Sequence, residues 1–123
     1  MKYFLAIIGG GPAGYTAAEI ASKAGKDVVI FEQTALGGTC LNVGCIPTKT
    51  LLYSAKQYYN ATHADKYGVK AEGVSFDYAK IVQRKMWVVR KLLGGVKQKL
   101  NNEHCTVIMG AASVVSRTDE NVV

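Results

Sequence analysis

The stretch Tyr3-Phe4-Leu5-Ala6-Ile7-Ile8-Gly9-Gly10-Gly11-Pro12-Ala13-Gly14 decides the fold. An unbroken apolar run from Tyr3 to Ile8 that ends at once in glycine predicts a strand buried on both faces of a parallel sheet. A helix is expected from Pro12 to Ala24. Proline suits its first turn, where a missing amide hydrogen costs no bond, and Ala13, Ala17, Ala18, Ile20 and Ala21 give a small-residue surface that approaches a sheet closely. Gly25 is the expected stop. Val28-Val29-Ile30-Phe31 reads as a second buried strand closing on Glu32. Strand, glycine turn, helix and strand in this order imply a parallel pair with a right-handed crossover.

Gly9-Gly10-Gly11-Pro12-Ala13-Gly14 fits the pattern G-x-G-x-x-G. Gly9 permits the tight turn out of the strand, Gly11 lets a pyrophosphate lie against bare backbone, and Gly14 lets the helix close onto the sheet. The helix N-terminus adds unpaired amides and partial positive charge. Glycine-rich turns are common, so the pattern alone says little. Here it lies between a strand and a helix, and Glu32 ends the next strand 18 residues past Gly14, where an acid binds both ribose hydroxyls of an adenosine. The bland alternative is a plain strand-to-helix turn followed by a solvated acid. Because a glutamate there repels a 2′-phosphate, the expected ligand is FAD or NAD rather than NADP.

Further along, Gln33 to Gly44 is rich in Gly, Thr and Asn and reads as a loop. A helix is expected from Ile46 to Asn60, with Leu51, Leu52, Ala55, Tyr58 and Tyr59 on one face. A second runs from Asp77 to Leu100, with Gly94-Gly95 as a possible bend, and the two are expected to pack as an antiparallel pair. Thr106 to Met109 and Ala111 to Val115 read as strands, Arg117 to Asn121 as a turn, and Val122-Val123 as the start of another strand. A hairpin arm that short leaves an unprotected edge, so the 123 residues are expected to be the N-terminal part of a longer polypeptide. The expected class is α/β: a doubly wound parallel sheet with a helical hairpin and the start of an antiparallel meander.

With 49% hydrophobic and 20% charged residues, the chain is neither disordered nor, with three cysteines, a disulfide-built miniprotein. Its first apolar run is too short for a membrane span or a signal-peptide core, so a cytoplasmic protein with no membrane partner is expected. The net charge of +6 suits an anionic partner such as nucleic acid or a phosphorylated cofactor. Lys80, Arg84, Lys85, Arg90, Lys91, Lys97 and Lys99 are spread around one helix. This distribution favours a solvated or protein-docking face over nucleic-acid binding. His63 and His104 are expected at the surface or in structural roles, Cys105 as a small packed group, and Trp87 and most tyrosines at helical core spacing.

The segment Gly37-Gly38-Thr39-Cys40-Leu41-Asn42-Val43-Gly44-Cys45-Ile46-Pro47-Thr48-Lys49 carries the chemistry. In a regular helix, cysteines five positions apart have α-carbons roughly 8 to 9 Å apart on different faces, whereas a disulfide needs about 4.4 to 6.8 Å. If they bond, the segment is irregular, which Gly44 and Pro47 both favour. A cytosolic disulfide is normally a working redox couple. A helix N-terminus at Cys45 with Lys49 one turn on would favour thiolate chemistry. Metal binding lacks the further His, Asp or Cys of a tetrahedral site. Two unrelated buried cysteines are the remaining alternative.

This segment, the glycine turn and Glu32 together resemble the N-terminal FAD-binding part of the pyridine nucleotide-disulfide oxidoreductases, which implies a Rossmann-like domain. Within that family the wording from Cys40 to Lys49 is most similar to the dihydrolipoamide dehydrogenases. Glutathione reductases typically carry valine in place of Leu41 and lysine in place of Thr48, while mercuric reductases share much of the pattern. The resemblance implies a Cys40/Cys45 redox disulfide, with Cys45 on the flavin side, Cys40 as the exchange sulfur and Lys49 beside the flavin ring. It assigns Gly9, Gly11, Pro12, Ala13, Gly14, Glu32, Gln33, Gly37, Gly38, Thr39, Cys40, Cys45, Lys49 and Gly110-Ala111-Ala112 to FAD, and no residue to a metal. It further implies a full-length homodimer that uses NAD and serves the lipoyl carrier domain of a 2-oxoacid dehydrogenase or glycine cleavage complex. The NAD-binding domain, the dimerisation domain and a catalytic His-Glu pair from the partner subunit would lie beyond these residues, so the isolated region is expected to be inactive.

Overall fold

The computed structural model describes residues 2–118 and 120–123. Its elements are β1 (Leu5–Ile8), α1 (Pro12–Lys23), β2 (Val28–Glu32), α2 (Gly38–Asn42), α3 (Cys45–Thr62), a short 3-10 turn at Asp65–Tyr67, α4 (Tyr78–Leu100) and β3 (Cys105–Met109). The strands form one parallel sheet in the order β1-β2-β3, with Leu5 opposite Val28 and Val28 opposite Cys105. This is an α/β fold with a Rossmann-like sheet.

The chain forms two compact units, Met1–Gly38 with Leu93–Val123, and Thr39–Leu92. In the first, β2 is central, and Val28, Val29 and Ile30 are buried, as its continuous β-branched run requires. Ala18 of α1 is wholly buried, and Val96 and Leu100 anchor the end of α4. At the close of α1, Gly25 takes a left-handed conformation and its amide donates to the Ser22 carbonyl. In the second unit, Asp77 accepts a hydrogen bond from the Lys80 amide at the start of α4. Arg84 lies over the Tyr53 ring, and Tyr58 meets Phe76 edge-on.

Four expectations are corrected. The Gln33–Gly44 loop contains α2, a single turn that starts at Gly38 where positive φ at Gly37 and Gly38 reverses the chain. Ala111–Val115 is not a strand. Only its last residue meets the end of the chain, the Val115 amide donating to the Val123 carbonyl, and the antiparallel bridge falls later, at Arg117 and Val122, with the Thr118 amide donating to the Asn121 carbonyl; Asp119 of that turn lies outside the described residues. β1 is not buried on both faces: Phe4 before it and Ile8 at its end are exposed, and burial alternates along the strand as for a strand covered on one face. The expected apolar face of α3 is also largely open, with Leu52, Tyr58 and Tyr59 exposed and Pro47 and Thr50 buried instead. α4 continues through Gly94-Gly95 as one helix.

Candidate functional site

The C-terminal ends of the three strands bring most of the expected nucleotide-binding residues together. The Gly9 amide donates to the Phe31 carbonyl at 2.8 Å, and the Gly110 amide donates to the Glu32 carbonyl at 2.8 Å, so both ladders extend past the strands to these glycines. Gly9 turns the chain with φ +104°. Gly14 permits the close approach of α1, because a β-carbon there would collide with the Gly9 carbonyl oxygen. Nothing lies near the position of a β-carbon on Gly11. The bare backbone and open space at the start of α1 therefore fit a phosphate.

Glu32 is buried, and its carboxylate accepts three backbone hydrogen bonds. Oε2 takes the Gly10 amide at 2.7 Å, while Oε1 takes the amides of Thr34 at 2.7 Å and Ala35 at 3.1 Å. These donors, the Thr34 amide foremost and then Gly10, hold its pKa below the ordinary glutamate value against the opposing effect of burial. The Gly37 amide returns to the Gly10 carbonyl at 2.7 Å. Gln33 and Ala111 are exposed, and Ala112 is half-buried. Sequence reasoning missed Gly10, Thr34 and Ala35. They contribute backbone amides, which carry no side-chain signature. The second glycine of the triplet was the one available hint.

The cysteine pair belongs to the second unit. Cys40 lies in α2 and Cys45 opens α3, and the helical path breaks between them at Val43-Gly44. Gly44 fits closely here, since a β-carbon on it would lie 3.0 Å from the Thr39 carbonyl oxygen and 3.4 Å from the Cys40 α-carbon. Both cysteines are free thiols. The neighbouring Cys45 side chain foremost, and then burial, raise the Cys40 pKa above the ordinary thiol value, while Lys49 acts in the other direction. Thr39 and Lys49 are exposed.

Cys105 stands apart, its thiol pKa pushed up by burial. His104 bonds Asp27 at 2.9 Å, and His63 stacks on Tyr59 with ring centroids 4.0 Å apart. Among the described residues no group of three or more His, Cys, Asp or Glu side chains is placed to hold a metal, and no helix is long and apolar enough to cross a membrane.

The family model described as pyridine nucleotide-disulphide oxidoreductase matches residues 3–122. The chain belongs to this family. Among pyridine nucleotide-disulphide oxidoreductases, the chain is 46% identical over 114 residues to a dihydrolipoyl dehydrogenase of Bacillus subtilis (strain 168), covering 91% of this chain and 25% of that protein. It is 43% identical over 117 residues to the dihydrolipoyl dehydrogenase of Geobacillus stearothermophilus, covering 95% and 25%. The structure of the Cu(II) complex of the HOCl-induced flavoprotein disulfide reductase RclA from Escherichia coli superposes with a TM-score of 0.75 at 33% identity, covering 100% of this chain and 26% of that one. The chain thus spans about a quarter of the length of these relatives.

Proposed function

We propose that this chain is the N-terminal, FAD-binding part of a dihydrolipoamide dehydrogenase, a flavoprotein that converts dihydrolipoamide and NAD to lipoamide and NADH. The observation that carries the reading is the pair of free thiols, Cys40 and Cys45, set on either side of a helix break in a sequence 46% identical to a dihydrolipoyl dehydrogenase. In the oxidised protein the two sulfurs form a disulfide. A dihydrolipoyl thiolate attacks Cys40 Sγ; the new S–S bond forms as the Cys40–Cys45 bond breaks, and Cys45 leaves as a thiolate. The second dihydrolipoyl thiolate then attacks its own sulfur in the mixed disulfide, closing the lipoyl ring and releasing Cys40. The electron pair now resides on the protein dithiol. FAD, held by the residues named below, would supply the two-electron chemistry that links this dithiol to NAD.

The chain's remaining residues bind and orient. Gly9, Gly11, Pro12, Ala13 and Gly14 present backbone to the pyrophosphate, Glu32 accepts from the adenosine ribose, and Gly37, Gly38, Thr39 and Gly110-Ala111-Ala112 line the rest of the nucleotide. Lys49 supplies a positive charge beside the sulfurs. The partner is the lipoyl domain of a carrier complex, the assembly is a full-length homodimer, and the setting is the cytoplasm, where a dithiol–disulfide couple turns over. A second reading, a flavoprotein disulfide reductase for another substrate, is favoured by the likeness to the Escherichia coli RclA structures.

The test is to mix the purified chain with FAD, remove the excess by gel filtration, and follow alkylation of Cys40 and Cys45 with oxidised lipoamide and then with dihydrolipoamide. A yellow protein whose two thiols are protected by lipoamide and restored by dihydrolipoamide is expected. A colourless protein with unresponsive thiols would overturn the reading, and protection by glutathione disulfide but not lipoamide would replace it with the second.

A further inference from the structure

We propose that Glu32 is a positioning residue that builds the nucleotide turn before any nucleotide arrives, in addition to whatever contact it makes with a ribose. The inference rests on reading the β1-to-α1 turn as the nucleotide site. Three backbone amides converge on one buried carboxylate: Gly10 from the glycine turn, and Thr34 and Ala35 from the loop that follows β2. Each oxygen serves a different segment, so the side chain bridges them. The bridge is reciprocal, because the Gly37 amide returns to the Gly10 carbonyl at 2.7 Å. Gly10 is therefore held at both backbone polar groups, its amide by Glu32 at the end of β2 and its carbonyl by Gly37 of the loop that follows. The packing agrees: the nearest atoms to a β-carbon built on Gly10 would be Leu36 Cδ1 at 2.9 Å and Glu32 Cβ at 3.1 Å.

The chemistry requires an ionised acid. A carboxylate is an acceptor at both oxygens, and these contacts present it with donors alone. Glutamine keeps the shape but turns an NH2 toward either the Gly10 amide or the Thr34 and Ala35 amides, leaving donor against donor at a buried position. The turn would then lose one anchor whether or not a nucleotide is present. A residue that acts solely as a ribose ligand would have no such effect in the cofactor-free protein, since its partner is absent there.

The experiment is hydrogen exchange on the full chain without FAD, comparing wild type with Glu32→Gln and Glu32→Ala, alongside FAD titration of each. Exchange is expected to quicken by about tenfold or more at Gly10, Thr34 and Ala35 in Glu32→Ala, and in Glu32→Gln at the one side that the amide NH2 faces, either Gly10 or the Thr34 and Ala35 pair, with FAD affinity falling in parallel. The amides of Val28–Ile30 report whether the sheet is intact, and the isosteric glutamine keeps the comparison usable should alanine unfold the chain. Weakened FAD binding with unchanged exchange in the cofactor-free, folded variants would overturn the proposal and leave the nucleotide reading standing. Quickened exchange in a chain whose wild type binds no FAD would uphold the positioning role while the nucleotide reading fell.

Discussion

Glu32 and Cys40 are perturbed in opposite senses, and each perturbation has a measurable consequence. Glu32 has its pKa lowered by backbone donors, so its contribution to stability is fully present above the unfolded value, near 4.5, and is lost as pH falls through the lower folded value. Urea midpoints measured from neutral pH downward should therefore fall more steeply below about pH 4.5 in wild type than in Glu32→Gln, which has no charge to lose there. Cys40 has its pKa raised, foremost by the neighbouring Cys45 side chain. Cys45→Ala removes that cause, so iodoacetamide should alkylate Cys40 faster in the variant at neutral pH; an unchanged or slower rate would refute the assigned cause.

At the scale of the element, α1 owes its placement to one missing side chain. Gly14→Ala drives a methyl group into the Gly9 carbonyl oxygen. Backbone on both sides of the clash leaves no flexible group to give way, so the substitution should cost about 1–3 kcal/mol in denaturant unfolding and weaken FAD binding together with stability. Along α4, burial changes from one end to the other: Leu100 is 3% exposed and Leu92 is 40% exposed. Leu100→Ala should cost about 2–5 kcal/mol, whereas Leu92→Ala should cost clearly less, which a pair of urea curves decides. The glycine turn, α1 and β2 were legible in the sequence because their signals are local: an apolar run, a proline, fixed glycine spacing. α2 was not, because its start depends on positive φ at Gly37 and Gly38, and no apolar period marks so short a helix.

Over the whole molecule, protection is expected to be uneven. β2 lies between two parallel neighbours and carries wholly buried Val28 and Ile30, while β1 and β3 expose one side. Hydrogen exchange should be slowest at Val28–Ile30 and fastest in the exposed stretch from Val69 to Phe76, measured by mass spectrometry on the intact chain. The misread segments share one cause. The burial expected at β1, the apolar face of α3 and the supposed strand at Ala111–Val115 were all inferred from hydrophobic pattern, and pattern records that a residue suits a core without saying what covers it.

The sequence by itself determined the parallel strand-helix-strand unit and the glycine turn with an acid at the end of β2, since each follows from bonds or sterics within a few residues. Only the tertiary structure decided that Glu32 gathers amides from two separate segments, that Gly10 is held at both its backbone groups, and that Cys40 and Cys45 fall on either side of a helix break. Those facts rest on backbone amides and short through-space distances, and an amide looks the same at every position of a sequence until the fold aims it.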